Sequence, residues 1–425
     1  MNSAATSRDD EPILLSAAWL APMDRPVIRD GGVVFAGGTI VAVGDANALR
    51  AAHPDARVED LGDSVILPGL VNPHTHLELS HCTPAGGGEA GESFTDWIIK
   101  LADRSGRNSG VPHEQLFGDA TRRGVEQCLR FGVTCVGDIS QQMHITRPIL
   151  RDSPIRCVSY GELLGLAKLR RRYDELLPRA IDRTFESERL RVAITPHAPY
   201  TVDLPGYREC IALARQHGLP LATHLAETPH EREFLEQHAG DFRGLWNLIG
   251  QWSDGVETFR GGGPIDFADA IGLLDYPRTL LAHVNYCDER ELSVLARGRA
   301  SVVYCPRTHA FFRHPPHRWR EMLSRRINVA VGTDSCASSP DLDIVDDLRL
   351  LHAIAPEFAV EQLWQMATTR AAKAIGMDDV AGSLTPGKAA DFAVFEGATG
   401  EPLADLLRTG HKPREVWLAG LRLAG

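Results

Sequence analysis

The stretch Leu67-Pro-Gly-Leu-Val-Asn-Pro-His74-Thr-His76-Leu-Glu78 begins as an apolar run and ends in two histidines spaced two apart. An apolar run bounded by turn residues reads as a buried strand, here from Val65–Leu67 on towards His76. Residues i and i+2 of a strand point to the same face, so His74 and His76 can offer two imidazoles to one divalent ion. A pair of surface histidines in a turn explains the same spacing, so the remainder of the chain has to decide.

Seven further apolar runs follow the same grammar: Val133–Asp138, Arg156–Glu162, Arg191–His197, Pro220–His224, Thr279–His283, Ser301–Cys305 and Asn328–Asp334. Helical stretches such as Leu204–His217 and Asp288–Gly298 lie between them. Strands alternating with helices imply right-handed crossovers and a parallel sheet. Eight such units over roughly 300 residues fit an α/β fold of the (β/α)8 TIM-barrel type. No Gly-x-Gly-x-x-Gly follows the first strand, which argues against a nicotinamide-dependent oxidoreductase.

Outside this zone the text changes. Gly32-Val-Val-Phe35, Thr39-Ile-Val-Ala-Val-Gly44, Asp391-Phe-Ala-Val-Phe395 and Glu415-Val-Trp-Leu418 are short strands between turn residues. Each end, about 50 residues, is too short to bury a core alone. The expected organisation is a small β-sandwich domain built from both chain ends, residues 1–66 plus 378–425, with the barrel over 67–377.

In such barrels the chemistry sits at the C-terminal ends of the strands. Here those ends carry His74 and His76, Asp138, Glu162, His197, His224 with Glu227 beyond it, His283, His309 and Asp334. Ionisable residues at one end of nearly every strand are hard to explain by packing. Singly, each has a bland reading: His224 and His283 as rim histidines, Asp334 as a helix N-cap, Glu227 as a solvated helix start. Jointly, three neutral imidazoles and a carboxylate suit a borderline metal, Zn²⁺ first and Fe²⁺ second. Glu227 then stands where a carboxylate can move protons, and His283 where it can hold the attacking water.

Composition sets outer bounds. The 425 residues are 43% hydrophobic and 24% charged, which is ordinary globular usage. The net charge of −11 argues against a nucleic-acid partner. Eight scattered cysteines without a C-x-x-C pair read as reduced thiols of a cytoplasmic protein. Met1–Pro12 shows no secretory pattern, and no apolar run is long enough to span a membrane. The expected partner is a small molecule. Barrels of this kind often pair, which makes a homodimer the candidate assembly.

The strand-one stretch resembles the first-strand signature of the amidohydrolase superfamily. Thr223-His224-Leu-Ala-Glu227, Ala282-His283-Val-Asn285 and Gly332-Thr-Asp334-Ser335 are similar to its later strands, and Gly382-Ser-Leu-Thr-Pro-Gly387-Lys-Ala-Ala-Asp391 to its C-terminal return. The resemblance implies one metal on His74, His76, His224 and Asp334. It implies Glu227 as proton shuttle, His283 as the residue orienting the hydrolytic water, and Asp334 as both ligand and base. His197 stands where binuclear members carry a lysine, which favours the single-metal, aminohydrolase-like branch. Thr195-Pro-His197-Ala-Pro-Tyr200-Thr resembles the adenosine-type and chlorohydrolase-like deaminases, including those acting on methylthioadenosine and S-adenosylhomocysteine. Two segments depart from that group, Glu78 after the metal pair and Tyr304-Cys-Pro-Arg307-Thr-His309. With Ser93-Phe-Thr-Asp-Trp97 they are more similar to the aminodeoxyfutalosine deaminases of menaquinone synthesis. The expected reaction is deamination of an adenine-like nucleoside, with Glu78, Glu162, His197, Arg307 and His309 contacting substrate. Trp97 and Phe94 would wall the pocket. The alternatives are C–N hydrolysis of another amidine, a cyclic amide or a chlorinated triazine, and an inactive barrel that only binds.

Overall fold

The computed structural model of the chain describes residues 11–86, 93–106, 109–397 and 400–423. The first ten residues, on which most of the reading of the N-terminus falls, lie outside that set. Contacts divide the described chain into two compact units. One holds the residues up to Asn72, Glu126–Cys135 and those from Asp343 onward; the other holds Pro73–Val125 and Val136–Leu342.

The first unit is organised by a sheet drawn from both ends of the chain. Its strands are β1 (Ile13–Leu20), β2 (Ile28–Ala36), β3 (Thr39–Asp45), β4 (Arg57–Asp60) and β5 (Ser64–Pro68). The C-terminal part adds β14 (Phe392–Glu396), β15 (Pro413–Leu418) and β16 (Leu421–Arg422). They run in the order β16-β15-β14-β5-β1-β2-β3, with β4 beside β1. The antiparallel pairing of β14 on β5, from Phe392 opposite Pro68 to Glu396 opposite Ser64, joins the two ends. Alternation along β1 sends Leu15 to one face and Leu14 to the other. Leu15, Val33, Ile66, Phe392, Val394 and Trp417 share one core, while Leu14 and Val34 pack with Leu49 on the opposite side. Phe35 of β2 lies 5.9 Å from Trp417 of β15, four strands away in the hydrogen-bonded order, so the sheet folds back over its own core. Gly37 and Gly38 make the β2–β3 turn at φ 53° and 74°, the left-handed pair that a tight two-residue hairpin requires.

The second sheet is the barrel. Its strands are β6 (Leu70–Thr75), β7 (Val133–Ser140), β8 (Arg156–Leu163), β9 (Leu190–Pro196), β10 (Leu221–Leu225), β11 (Thr279–His283), β12 (Ser301–Tyr304) and β13 (Asn328–Val331). They follow one another in sequence order. Their residues are almost all buried, as expected for a parallel sheet covered on both faces. A parallel bridge between Thr75 and Asp334, with the Asp334 N–H donating to the His74 carbonyl at 3.0 Å, closes the ring of strands.

One boundary differs from the sequence reading. The run expected to form a single strand from Val65 towards His76 is two strands, β5 in the terminal sheet and β6 in the barrel. The break is at Gly69, where a Cβ would stand 2.1 Å from the Thr134 hydroxyl. β6 ends at Thr75 and β13 at Val331, short of the expected His76 and Asp334, so both residues lie just past their strands. All eight cysteines are free thiols, and six of them are buried. Among the described residues no helix is long and apolar enough to cross a membrane.

Candidate metal centre

His74, near the end of β6, is fully buried, and neither of its ring nitrogens has a hydrogen-bond partner. Burying an unpaired imidazole is costly, so an unmet requirement sits at this point. Its Nε2 lies 3.7 Å from Asp334 Oδ1, and His76 Nε2 lies 3.6 Å from the same oxygen. The donor atoms of His74, His76 and His224 fall within 4.8 Å of one another, as do those of His74, His283 and Asp334. Four donors each about 2.1 Å from a tetrahedral ion stand about 3.4 Å apart. The His74–Asp334 and His76–Asp334 separations are close to that spacing, and His224 gathers with His74 and His76 within 4.8 Å, so these residues suit one divalent cation.

The neighbouring groups orient these donors. His224 Nδ1 sits 3.2 Å from the carbonyl of His197; a carbonyl only accepts, so Nδ1 carries the proton and Nε2 keeps its lone pair. Burial pushes His224 down to about 3, with the adjacent His197 adding to the shift. Burial, then His224, holds His74 and His76 well below the usual histidine range. All three imidazoles are thus neutral, the form that ligates. Asp334 takes a left-handed backbone at φ 61°, which aspartate tolerates better than most residues. Its Oδ1 accepts from the Ser335 N–H at 2.7 Å and its Oδ2 from the Ser338 hydroxyl at 3.1 Å.

Glu227 follows β10 and is buried beside this cluster, its Oε1 3.5 Å from His283 Nε2. Its carbonyl accepts from Asn285 Nδ2 at 3.1 Å, and its N–H donates to Glu231 at 3.1 Å. Both ties fix the turn that presents the side chain. Burial, followed by the Asp334 and Glu231 carboxylates, pushes the Glu227 carboxyl well above the usual range. A cation on Asp334 cancels that residue's part of the push.

The five residues expected to contact substrate fall into two groups. His197 and Glu162 stand next to the centre: His197 Nε2 is 4.0 Å from Glu162 Oε1, and its ring centroid is 4.7 Å from that of His224. Gln141 donates to Glu162 at 2.7 Å, and Thr201 lies 2.8 Å from His197 Nδ1. The other three are engaged by protein groups. Glu78 accepts from the Ser140 hydroxyl and from the Gln142 N–H at 3.0 Å. Arg307 donates to the carboxylate and carbonyl of Asp341 at 2.7 and 2.9 Å. His309 Nε2 sits 2.9 Å from the Pro315 carbonyl. Asp138 ties the exit of β6, accepting from the Leu77 N–H at 2.8 Å.

Residues 65–420 match the family described as "Amidohydrolase family". The chain belongs to that family. Residues 31–56 also match an imidazolonepropionase-like composite domain of bacteria. This amidohydrolase is 29% identical to a 5-methylthioadenosine/S-adenosylhomocysteine deaminase of Nitratidesulfovibrio vulgaris, over 96% of this chain and 91% of the other. Among solved structures it resembles Helicobacter pylori aminofutalosine deaminase in complex with methylthio-coformycin, with TM-score 0.84, 23% identity, and coverage of 97% and 100%. It also resembles an adenosine deaminase from Xanthomonas campestris with bound zinc, with TM-score 0.79, 24% identity, and coverage of 96% and 92%.

Sequence reasoning passed over several residues that this amidohydrolase places at its centre. Ser338, Glu231 and Asn285 hold Asp334 and Glu227, but single polar residues after strands carry no spacing signal. His314 and His317 follow His309 in a histidine-dense run, a signal that was available. Aromatic rings from the helices Phe94–Arg104 and Gly240–Leu248 and from Phe312, at the end of the helix Pro306–Phe311, meet: Trp97 lies 5.8 Å from Phe94 and 5.0 Å from Phe312, and Phe94 lies 6.3 Å from Phe242.

Proposed function

We propose that this amidohydrolase is a zinc-dependent aminohydrolase that converts a 6-aminopurine nucleoside and water into the 6-oxopurine nucleoside and ammonia. The observation that carries the reading is the placement of Glu227 and His283 against the donor set of His74, His76, His224 and Asp334. The relative named for methylthioadenosine and S-adenosylhomocysteine supports a nucleoside substrate. The His74–Ser80, Ser93–Trp97 and Cys305–His309 runs favour 6-amino-6-deoxyfutalosine among such nucleosides.

His74, His76, His224 and Asp334 would hold the divalent ion, which when bound would lower the pKa of a water towards about 7. The chain's own groups do the rest. Asp334 accepts a proton from the attacking water while Ser335 and Ser338 hold its carboxylate. His283 fixes that water's direction. Glu227 gives its proton to the ring nitrogen beside C6, so the C6–O bond forms as the ring double bond yields; the Glu227 carboxylate then takes the proton of the new C6 hydroxyl and passes it to the departing amine, and the proton held by Asp334 returns Glu227 to its starting form. The C6–N bond breaks, and ammonia leaves.

The test is an ammonia-release screen over adenosine, 5′-methylthioadenosine, S-adenosylhomocysteine and aminodeoxyfutalosine. Deamination of at least one is expected. Hydrolysis of a cyclic amide or a chlorinated triazine, with every nucleoside left intact, would overturn the reading.

A further inference from the structure

His283 and Val284, at the exit of β11, both have left-handed backbones, at φ 73° and 51°. For a β-branched residue such as Val284 this region is a genuine outlier, and two left-handed residues in succession need outside support. Part of that support comes from the segment after β12. His317 Nε2 lies 3.0 Å from the His283 carbonyl; the carbonyl can only accept, so His317 donates. The His317 ring stacks on Tyr304, with centroids 3.9 Å apart and planes at 11°. Two more ties join the same segments. Arg318 donates to the Cys287 carbonyl at 3.2 Å, and Tyr286 pairs with His314 Nδ1 at 2.9 Å. On the other side, the Val284 N–H donates to the Leu225 carbonyl at 3.0 Å, and the Tyr286 N–H to Ala226 at 3.1 Å. The β11 exit is thus held between the loop that carries Glu227 and the loop that carries His317.

We propose that His317 is a positioning residue: its hydrogen bond holds His283 in the left-handed conformation that directs the imidazole at Glu227 and the metal cluster. The inference rests on the deaminase reading for its kinetic consequence, though not for its geometry. The hydrogen bond of His317 reaches the backbone carbonyl of His283 and not its ring, so His317 acts through the backbone of His283. The stack on Tyr304 fixes the donor's direction, so a ring without N–H would keep the packing and lose the clamp.

The experiment compares H317F, H317Q and the double variant H317F/V284G with wild type. The readouts are nucleoside deamination kinetics, metal content and thermal midpoint. Loss of an outer hydrogen bond of this kind typically costs about 10–100-fold. H317F is expected to lose kcat by that factor, with KM within about twofold and one metal per chain. H317Q, which keeps a donor, recovers most of the loss. V284G recovers part of it in the H317F background, because glycine accepts a left-handed backbone at no steric cost. Unchanged kcat in H317F, or H317Q no better than H317F, overturns the proposal. Should H317F fail to fold, H317L, which also lacks a donor, and H317L/V284G take its place in the same comparison with H317Q and wild type. Should wild type deaminate no nucleoside, the functional reading fails separately, and a crystal structure of H317F or H317Q still decides the clamp: φ of residue 283 leaves the left-handed region in H317F and stays there in H317Q.

Discussion

Asp334 donates its backbone N–H to the His74 carbonyl at 3.0 Å, and its carboxylate stands 3.7 Å from His74 Nε2. One pair of residues therefore both joins the last barrel segment to the first and sets two donors of the cation site. The stability of the barrel seam and the geometry of the metal centre are coupled at this point.

Gly332 lies in that seam. A Cβ there would meet Val303 Cγ1 at 2.8 Å and His74 Cβ at 3.0 Å. G332A should push His74 away from Asp334, destabilising the protein by about 1–3 kcal/mol and weakening metal binding together. Thermal denaturation and elemental analysis check this. A variant as stable and as fully loaded as wild type contradicts it.

In the proposed reaction Glu227 moves protons and does not hold the cation. E227Q should keep about one metal per chain and lose about 10²–10⁴-fold in kcat, the usual worth of a general acid–base group. Steady-state kinetics on a metal-replete sample decide; wild-type turnover in E227Q removes the residue from the mechanism.

Asp266 offers a pH-dependent check on stability away from the site. Arg290 grips both its oxygens at 2.7 Å, and its Oδ2 also accepts from the Gly263 N–H at 3.1 Å. The Arg290 hydrogen bonds hold its carboxyl below the ordinary 3.8. A carboxylate with a lowered folded pKa stabilises at pH values above its unfolded value and loses that contribution as pH falls through the folded one. The gap in denaturation midpoint between wild type and D266N should be open at pH 7 and close below about pH 4. A gap that does not change with pH counts against the ion pair.

Much of the barrel was legible because parallel strands are buried on both faces and read as continuous apolar runs. The polar residue ending each run marked the rim, so His74, His224, His283 and Glu227 could be named before their distances were known. What escaped was set by partners distant in the chain. Pro68-Gly69 is a turn signal inside Leu67–Val71, but the residues on both sides are equally apolar and do not tell that one sheet hands over to another there; the tight approach of Thr134 to Gly69 is visible only in the structure. Arg307 looked available for a ligand, yet Asp341, 34 residues on, engages its guanidinium. His317 acts through the backbone carbonyl of a residue 34 positions earlier, an interaction no side-chain pattern encodes.

The most direct test is a zinc refill of chelator-stripped protein, following ammonia release from a 6-aminopurine nucleoside. The stripped protein should be inactive, and the rate should climb linearly until one zinc per chain is bound, then stay flat. Full activity without metal, or a rate still rising towards a second equivalent, would contradict a single ion held by His74, His76, His224 and Asp334.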